Sequence, residues 1–222
     1  MSVVAFGGSR SVSSCPLVGR VVSSVLASGA SVSVGCAVGV DALVVSSVLT
    51  AGAGRRLSLF LVGSVVGPSG FSGGGRPVGF WRGSALSSVS AAEQASAVLH
   101  PLAGGPLSLP LRVRLFGRSV ACCSSALAGG PHSGAVFFVA GGPSVSPGSW
   151  SVAAWCVRAG LPVVVFPVGS SGFVWPGASW AGVAGQFVPA ASSGLWSSAC
   201  RWSPAGVPSS AVVASWAAGS RS

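Results

Sequence analysis

The 222-residue chain contains no lysine, asparagine, isoleucine or tyrosine, and it has two acidic side chains, Asp41 and Glu93. Each gap closes off a chemistry. Without lysine there is no P-loop, whose glycine-rich turn needs that ammonium against the phosphates. With one aspartate and one glutamate, general acid–base work by paired carboxylates has almost nothing to draw on. The two histidines, His100 and His132, have neither a neighbouring histidine nor a CxxC at ligand spacing, so no metal site is expected. The cysteines at 15, 36, 122, 123, 156 and 200 include no CxxC pair and are expected as reduced thiols, mostly in the core.

Long apolar runs are also missing. Mean hydropathy is +0.76, yet glycine, serine, proline or arginine interrupts every stretch before the roughly 18 residues of a membrane span. The opening MSVVAFGGSR has no basic leader and too short an apolar run for a secretory signal. The expectation is a cytoplasmic chain with no membrane span.

What remains is basic, with a formal net charge of +10. Such a balance ordinarily points to a polyanion such as nucleic acid. Here it carries less weight. Tyr, His, Gln, Asn, Lys, Asp and Glu, all absent or scarce, share adenine at the second codon position, and arginine mostly escapes that constraint. A coding strand poor in adenine accounts for part of the charge.

Along the chain, short β-branched runs alternate with amphipathic helical ones. SVVAF (2–6) reads as a buried strand, followed by the turn GGSR. A helix is predicted next, with Ser14 as cap, Pro16 in the first turn, one face formed by Leu17, Val18, Val21, Val22, Val25 and Leu26, and Gly29 as its stop. Strands are predicted at 31–35, 57–63, 134–142 and 161–169, and helices at 40–52, 82–99, 117–127 and 149–160, with a loop over 63–79. This alternation predicts an α/β fold, a parallel sheet with helices on both faces, complete by residue 169. Residues 170–222 change texture to Ser, Gly, Ala and Pro, yet hold five of the eight tryptophans. That many large rings predicts an extension that packs in part on the 1–169 domain or on a second subunit.

In such sheets ligands bind at the carboxyl ends of the strands, where helix N-termini present free N–H groups. Three glycine-rich turns fall on that edge: Gly7-Gly8-Ser9-Arg10, Gly35 to Asp41 with Gly39 between, and Gly141-Gly142 to Gly148-Ser149. Asp41 sits in the first turn of a helix, where it can favour the helix dipole or accept hydrogen bonds from a ligand. Arg10 can pair with Asp41 or clamp a phosphate.

FGGSR, GCAVGVDA, FGRSVACCSSALAGG, SVSPGSWSVAAWCVRAG and LPVVVFPVG together resemble the Rossmann-like core of the DNA-processing protein A family, within the SMF/DprA-LOG (SLOG) superfamily. The resemblance covers about residues 1–170 and rests on the order of the motifs. It implies a Rossmann-like fold that binds a nucleotide or single-stranded nucleic acid, with Gly7, Gly8, Ser9, Arg10, Gly35, Gly39, Asp41, Arg118, Gly141, Gly142, Gly148 and Ser149 as ligand or phosphate contacts and Arg82 as a further charge partner. The phosphoribohydrolase branch carries a glutamate where this chain has Val152, so no catalytic residue and no cofactor is assigned. Two alternatives stay open: a nucleotide phosphoribohydrolase-like enzyme, and a structural, homo-oligomer-forming protein with a vestigial site.

Overall fold

The β-branched runs form the centre of an eight-stranded sheet, and the amphipathic runs cover it on both faces. The computed structural model describes residues 1–66, 70–72, 82–169, 173–205 and 212–218. Strands β1 (Val3–Gly8), β2 (Ser31–Gly35), β3 (Leu57–Phe60), β6 (Val98–His100), β7 (Gly134–Val139) and β8 (Val163–Pro167) run parallel. Two more, β9 (Gly185–Pro189) and β10 (Cys200–Pro204), extend the β8 side as an antiparallel pair. The order across the sheet is β6-β3-β2-β1-β7-β8-β10-β9. The expected α/β, Rossmann-like architecture is present.

Side-chain alternation along each strand splits the core in two. Val4, Phe6, Val136, Phe138, Val164 and Phe166 face helices α1 (Pro16–Ala27) and α2 (Val40–Thr50). Ala5, Ala135, Phe137, Val163 and Val165 face α4 (Leu111–Leu127) and α5 (Pro147–Arg158). Both faces are covered, which is why these strands read as continuous apolar runs. Among the described residues, no helix is long and apolar enough to cross a membrane.

Several local expectations are corrected. The first helix has Cys15 rather than Ser14 at its N-cap, with no side-chain cap bond. The segment 63–79 holds a hairpin, β4 (Ser64–Val66) with β5 (Gly70–Ser72); the rest of it, 67–69 and 73–79, lies outside the described residues. Helix α3 (Arg82–Gln94) stops five residues short of 99 because Ser96 adopts φ +60°, and Val98–His100 forms the edge strand β6 instead. Helix α4 begins at Leu111, six residues before the predicted 117.

The sheet is also not complete by residue 169, since β9 and β10 lie beyond it. Trp196 and Trp216 are buried in the α1 face of the core, and Trp202 in the other. The short helix α6 (Val212–Ala218) is held by two long-range bonds: Trp216 Nε1 donates to the His132 carbonyl at 2.9 Å, and Ser24 Oγ donates to the Trp216 carbonyl at 2.7 Å. The tryptophans therefore serve this chain's own core.

Candidate functional site

From β1 the chain builds outward through β2, β3 and β6, then returns across α4 to lay β7 on the other side of β1. Neighbouring strands β1 and β7 thus send their following helices to opposite faces, which leaves a crevice at their carboxyl ends. A cavity of about 440 Å³ occupies that place, within the size range of small-molecule sites. Its walls come from the 7–11 turn, the start of α2, one face of α4 and the start of α5.

Ser9 organises the crevice. Its N–H donates to the Phe138 carbonyl at 2.9 Å, its Oγ accepts from Ala140 N–H at 2.9 Å, and its carbonyl accepts from Val40 N–H at the start of α2. Its hydroxyl also lies 2.8 Å from Ser146 Oγ. Ser146 is the N-cap residue of α5, and its hydroxyl, set against Ser9, makes no cap bond to its own helix. Pro147 has no N–H, while Gly148 and Ser149 stand in the first turn, where amides have no intrahelical acceptor. No side chain caps this end, no acidic residue lies in its first turn, and it opens on the cavity. A helix start of that kind attracts anions through its N–H groups and its dipole.

The cavity floor holds a buried ion pair. Arg118 Nη1 donates to Asp41 Oδ2 at 2.7 Å, and the same oxygen accepts from Ala37 N–H at 3.1 Å. Asp41 is 6% exposed and Arg118 5%. The guanidinium fits only because residue 35 is glycine: a Cβ there would fall 1.0 Å from Arg118 Nη1. Burial disfavours the charged guanidinium, but the Asp41 carboxylate, with Cys36 and Cys122 nearby, outweighs it and holds Arg118 above its ordinary pKa. Arg118 Nε is buried without a partner.

Cys122 and Cys123 line the cavity, with Cys36 buried beside it, and all three hold their protons. Burial raises Cys36 and pushes Cys122 well above the ordinary thiol range, and Cys123 is raised by its hydrogen bond to Cys156 together with burial. All three stay protonated at neutral pH. Cys15 and Cys200 are half-buried, and all six cysteines are free.

Nine of the expected contacts line the cavity: Gly7, Gly8, Ser9, Arg10, Gly35, Asp41, Arg118, Gly148 and Ser149. Three do not. Gly39 has φ +82°, and a Cβ on it would come within 2.6 Å of the Ser9 and Arg10 backbone. Its role is to let two loops touch. Gly141 and Gly142 pack under Val145 and Val174. The pairing of Arg10 with Asp41 is corrected: Arg118 pairs with Asp41, and Arg10 is left exposed at the mouth. Arg82 opens α3, and its side chain lies outside the described residues.

Of the wall supplied by α4, the sequence reading found Arg118 and missed the rest. Arg112, Leu115, Phe116, Ser119, Cys122 and Cys123 line the cavity at i, i+3, i+4, i+7, i+10 and i+11, one stripe of a helix. Starting the helix at 117 removed Arg112 and Phe116 from view; extending the same spacing back to Pro110 recovers both. Val152 is in the wall as well. Compared with models of known protein families, with curated proteins and with solved structures, the chain matches none.

Proposed function

We propose that the chain binds a nucleotide, free or as a unit of single-stranded nucleic acid, in the cavity at the β1/β7 switch point, and that it is a SLOG-like protein related to the DNA-processing protein A core. The observation that carries the reading is the uncapped start of α5. Ser146, of a residue type that commonly caps helices, makes no cap bond and lies against Ser9, and Gly148 and Ser149 of the first turn line the cavity. Exposed Arg10 and Arg112 at the mouth supply cations, and a phosphate suits both groups.

The same cavity argues for binding rather than cleavage. Asp41 is the one carboxylate in its lining, and both bonds to its Oδ2 come from the protein. Glu93 lies exposed on α3, away from the lining. The thiols are protonated. Among the described residues that line the cavity there is no histidine or glutamate to move a proton to or from a glycosidic bond.

The test is mass spectrometry of small molecules released from the purified protein, followed by titration of the compound found. A phosphorylated nucleoside, displaced by inorganic phosphate, supports the reading. A protein that releases none, and binds neither nucleotides nor oligonucleotides at low salt, refutes it.

A further inference from the structure

The cavity has two chemically distinct walls. One, from the 7–10 turn and the start of α5, offers amides, hydroxyls and Arg10. The other, from α4, offers Phe116 beside Arg112 and Leu115. Phe116 is 41% exposed and is the only exposed phenylalanine or tryptophan among the described residues. Elsewhere rings are packed in clusters, such as Trp150 with Trp175, Trp180 and Phe187. Leaving a phenyl ring half in water at the mouth of a cavity forfeits part of its burial energy, and a flat apolar ligand group would recover it.

For the sugar, the lining offers one acidic side chain, Asp41, whose Oδ2 is already engaged by the protein. Dinucleotide sites of doubly wound sheets usually hold the ribose hydroxyls with an acidic side chain. The two acidic side chains of this chain are Asp41 and Glu93. The first is buried against Arg118 and Ala37, and the second does not line the cavity.

Building on the nucleotide-binding reading, we infer that α4 is the base wall of the site: Phe116 stacks on the nucleobase with Arg112 alongside, and the site does not distinguish ribose from deoxyribose. The ligand class is then a purine or pyrimidine nucleotide of either sugar, recognised through phosphate and π-face. Stacking of this kind is tolerant of sequence, since every base has a π-face.

The experiment titrates AMP, dAMP and ribose 5-phosphate into the wild-type protein, Phe116→Ala and Phe116→Trp by calorimetry at low salt. AMP and dAMP are expected to bind wild type equally, and ribose 5-phosphate more weakly by roughly five- to a hundredfold, the range of one base–aromatic stack. Phe116→Ala is expected to bring AMP down to the ribose 5-phosphate level without changing the latter, and Phe116→Trp to restore AMP. Because Phe116 is exposed, both variants should fold, and the unchanged ribose 5-phosphate affinity reports that they have. Equal binding of AMP and ribose 5-phosphate by wild type, an unaffected Phe116→Ala, or a clear preference for AMP over dAMP overturns the inference while leaving the phosphate site standing. If none of the three binds wild type, the phosphate site itself fails, and the base wall with it.

Discussion

Asp41 and Arg118, 77 residues apart, meet at 2.7 Å beneath the cavity, so that the first turn of α2 is bonded to the middle of α4 across the end of β2. The pair spans both faces of the sheet, since α2 packs on one and α4 on the other. Removing one member of a buried pair strands a charge in low dielectric, whereas removing both does not. Asp41→Asn and Arg118→Met should each lower unfolding free energy by about 3–5 kcal/mol, and the double variant should lose much less than the sum. Urea denaturation measures all three. Additive losses would mean that the two side chains act independently.

Gly35 belongs to the same unit. Its Cβ would occupy the place of Arg118 Nη1, so Gly35→Ala should expel the guanidinium and leave Asp41 unpaired. The expected result is a stability close to that of Arg118→Met, with little further loss when the two are combined. A Gly35→Ala protein as stable as wild type would show that Arg118 can leave Asp41 at no cost.

The segment beyond 169 carries structure that the sheet requires. Trp216 is fully buried and bonded to His132, and β10 pairs with β8. Trp216→Ala should cost about 3–5 kcal/mol, the usual range for emptying an aromatic core position. Truncation after Gly169 should leave a protein that fails to give a cooperative thermal transition. A truncated chain that melts cooperatively near the wild-type temperature would contradict this.

The central strands β1, β2, β3, β7 and β8 are legible because they are buried on both faces and read as continuous apolar runs, and α1 because its apolar positions fall on one buried face. The elements that were missed lack those signals. Val98–His100 is too short for any period to show. Residues 111–116 hold two arginines and the exposed Val113 and Phe116, which blur the apolar stripe. In β9, Gln186 is exposed and its neighbours are only half-buried, so the strand reads as loop. The site was legible as glycine-rich turns on one edge, but not as partners. Nothing in the local sequence says that Asp41 would choose Arg118 over Arg10, because that choice is made by the fold of α4 over Gly35. Gly39 is expected as a ligand contact; it lies outside the cavity lining, and its positive φ and close approach to Ser9 and Arg10 give it a part in packing the two loops.

His100 gives the fold a pH dependence of definite sign. It stacks on Phe60 with ring centroids 4.2 Å apart, and burial lowers its pKa below the ordinary 6.5. The unfolded chain therefore takes up its proton first as pH falls. The stability that comes from a neutral His100 is fully present above about pH 6.5 and is lost as pH drops toward the lower folded-state value. Melting temperatures between pH 8 and pH 5 should decline more steeply for wild type than for His100→Phe, which keeps the ring stack without the titration. Parallel profiles would remove His100 as the cause.

The central claim, that phosphate rests on the uncapped start of α5, is tested most directly by Gly148→Asp. Residue 148 is exposed, its φ is ordinary, and a Cβ there meets nothing within 4 Å. A carboxylate in the first helical turn favours the dipole by about 0.3–1 kcal/mol, so the variant should melt at or above the wild-type temperature. The same negative charge should repel a phosphate from the Gly148 and Ser149 amides. Calorimetric titration of AMP into both proteins is the measurement. The account predicts binding to wild type and none to Gly148→Asp, in a variant that is no less stable. AMP binding of equal strength to both proteins would contradict it.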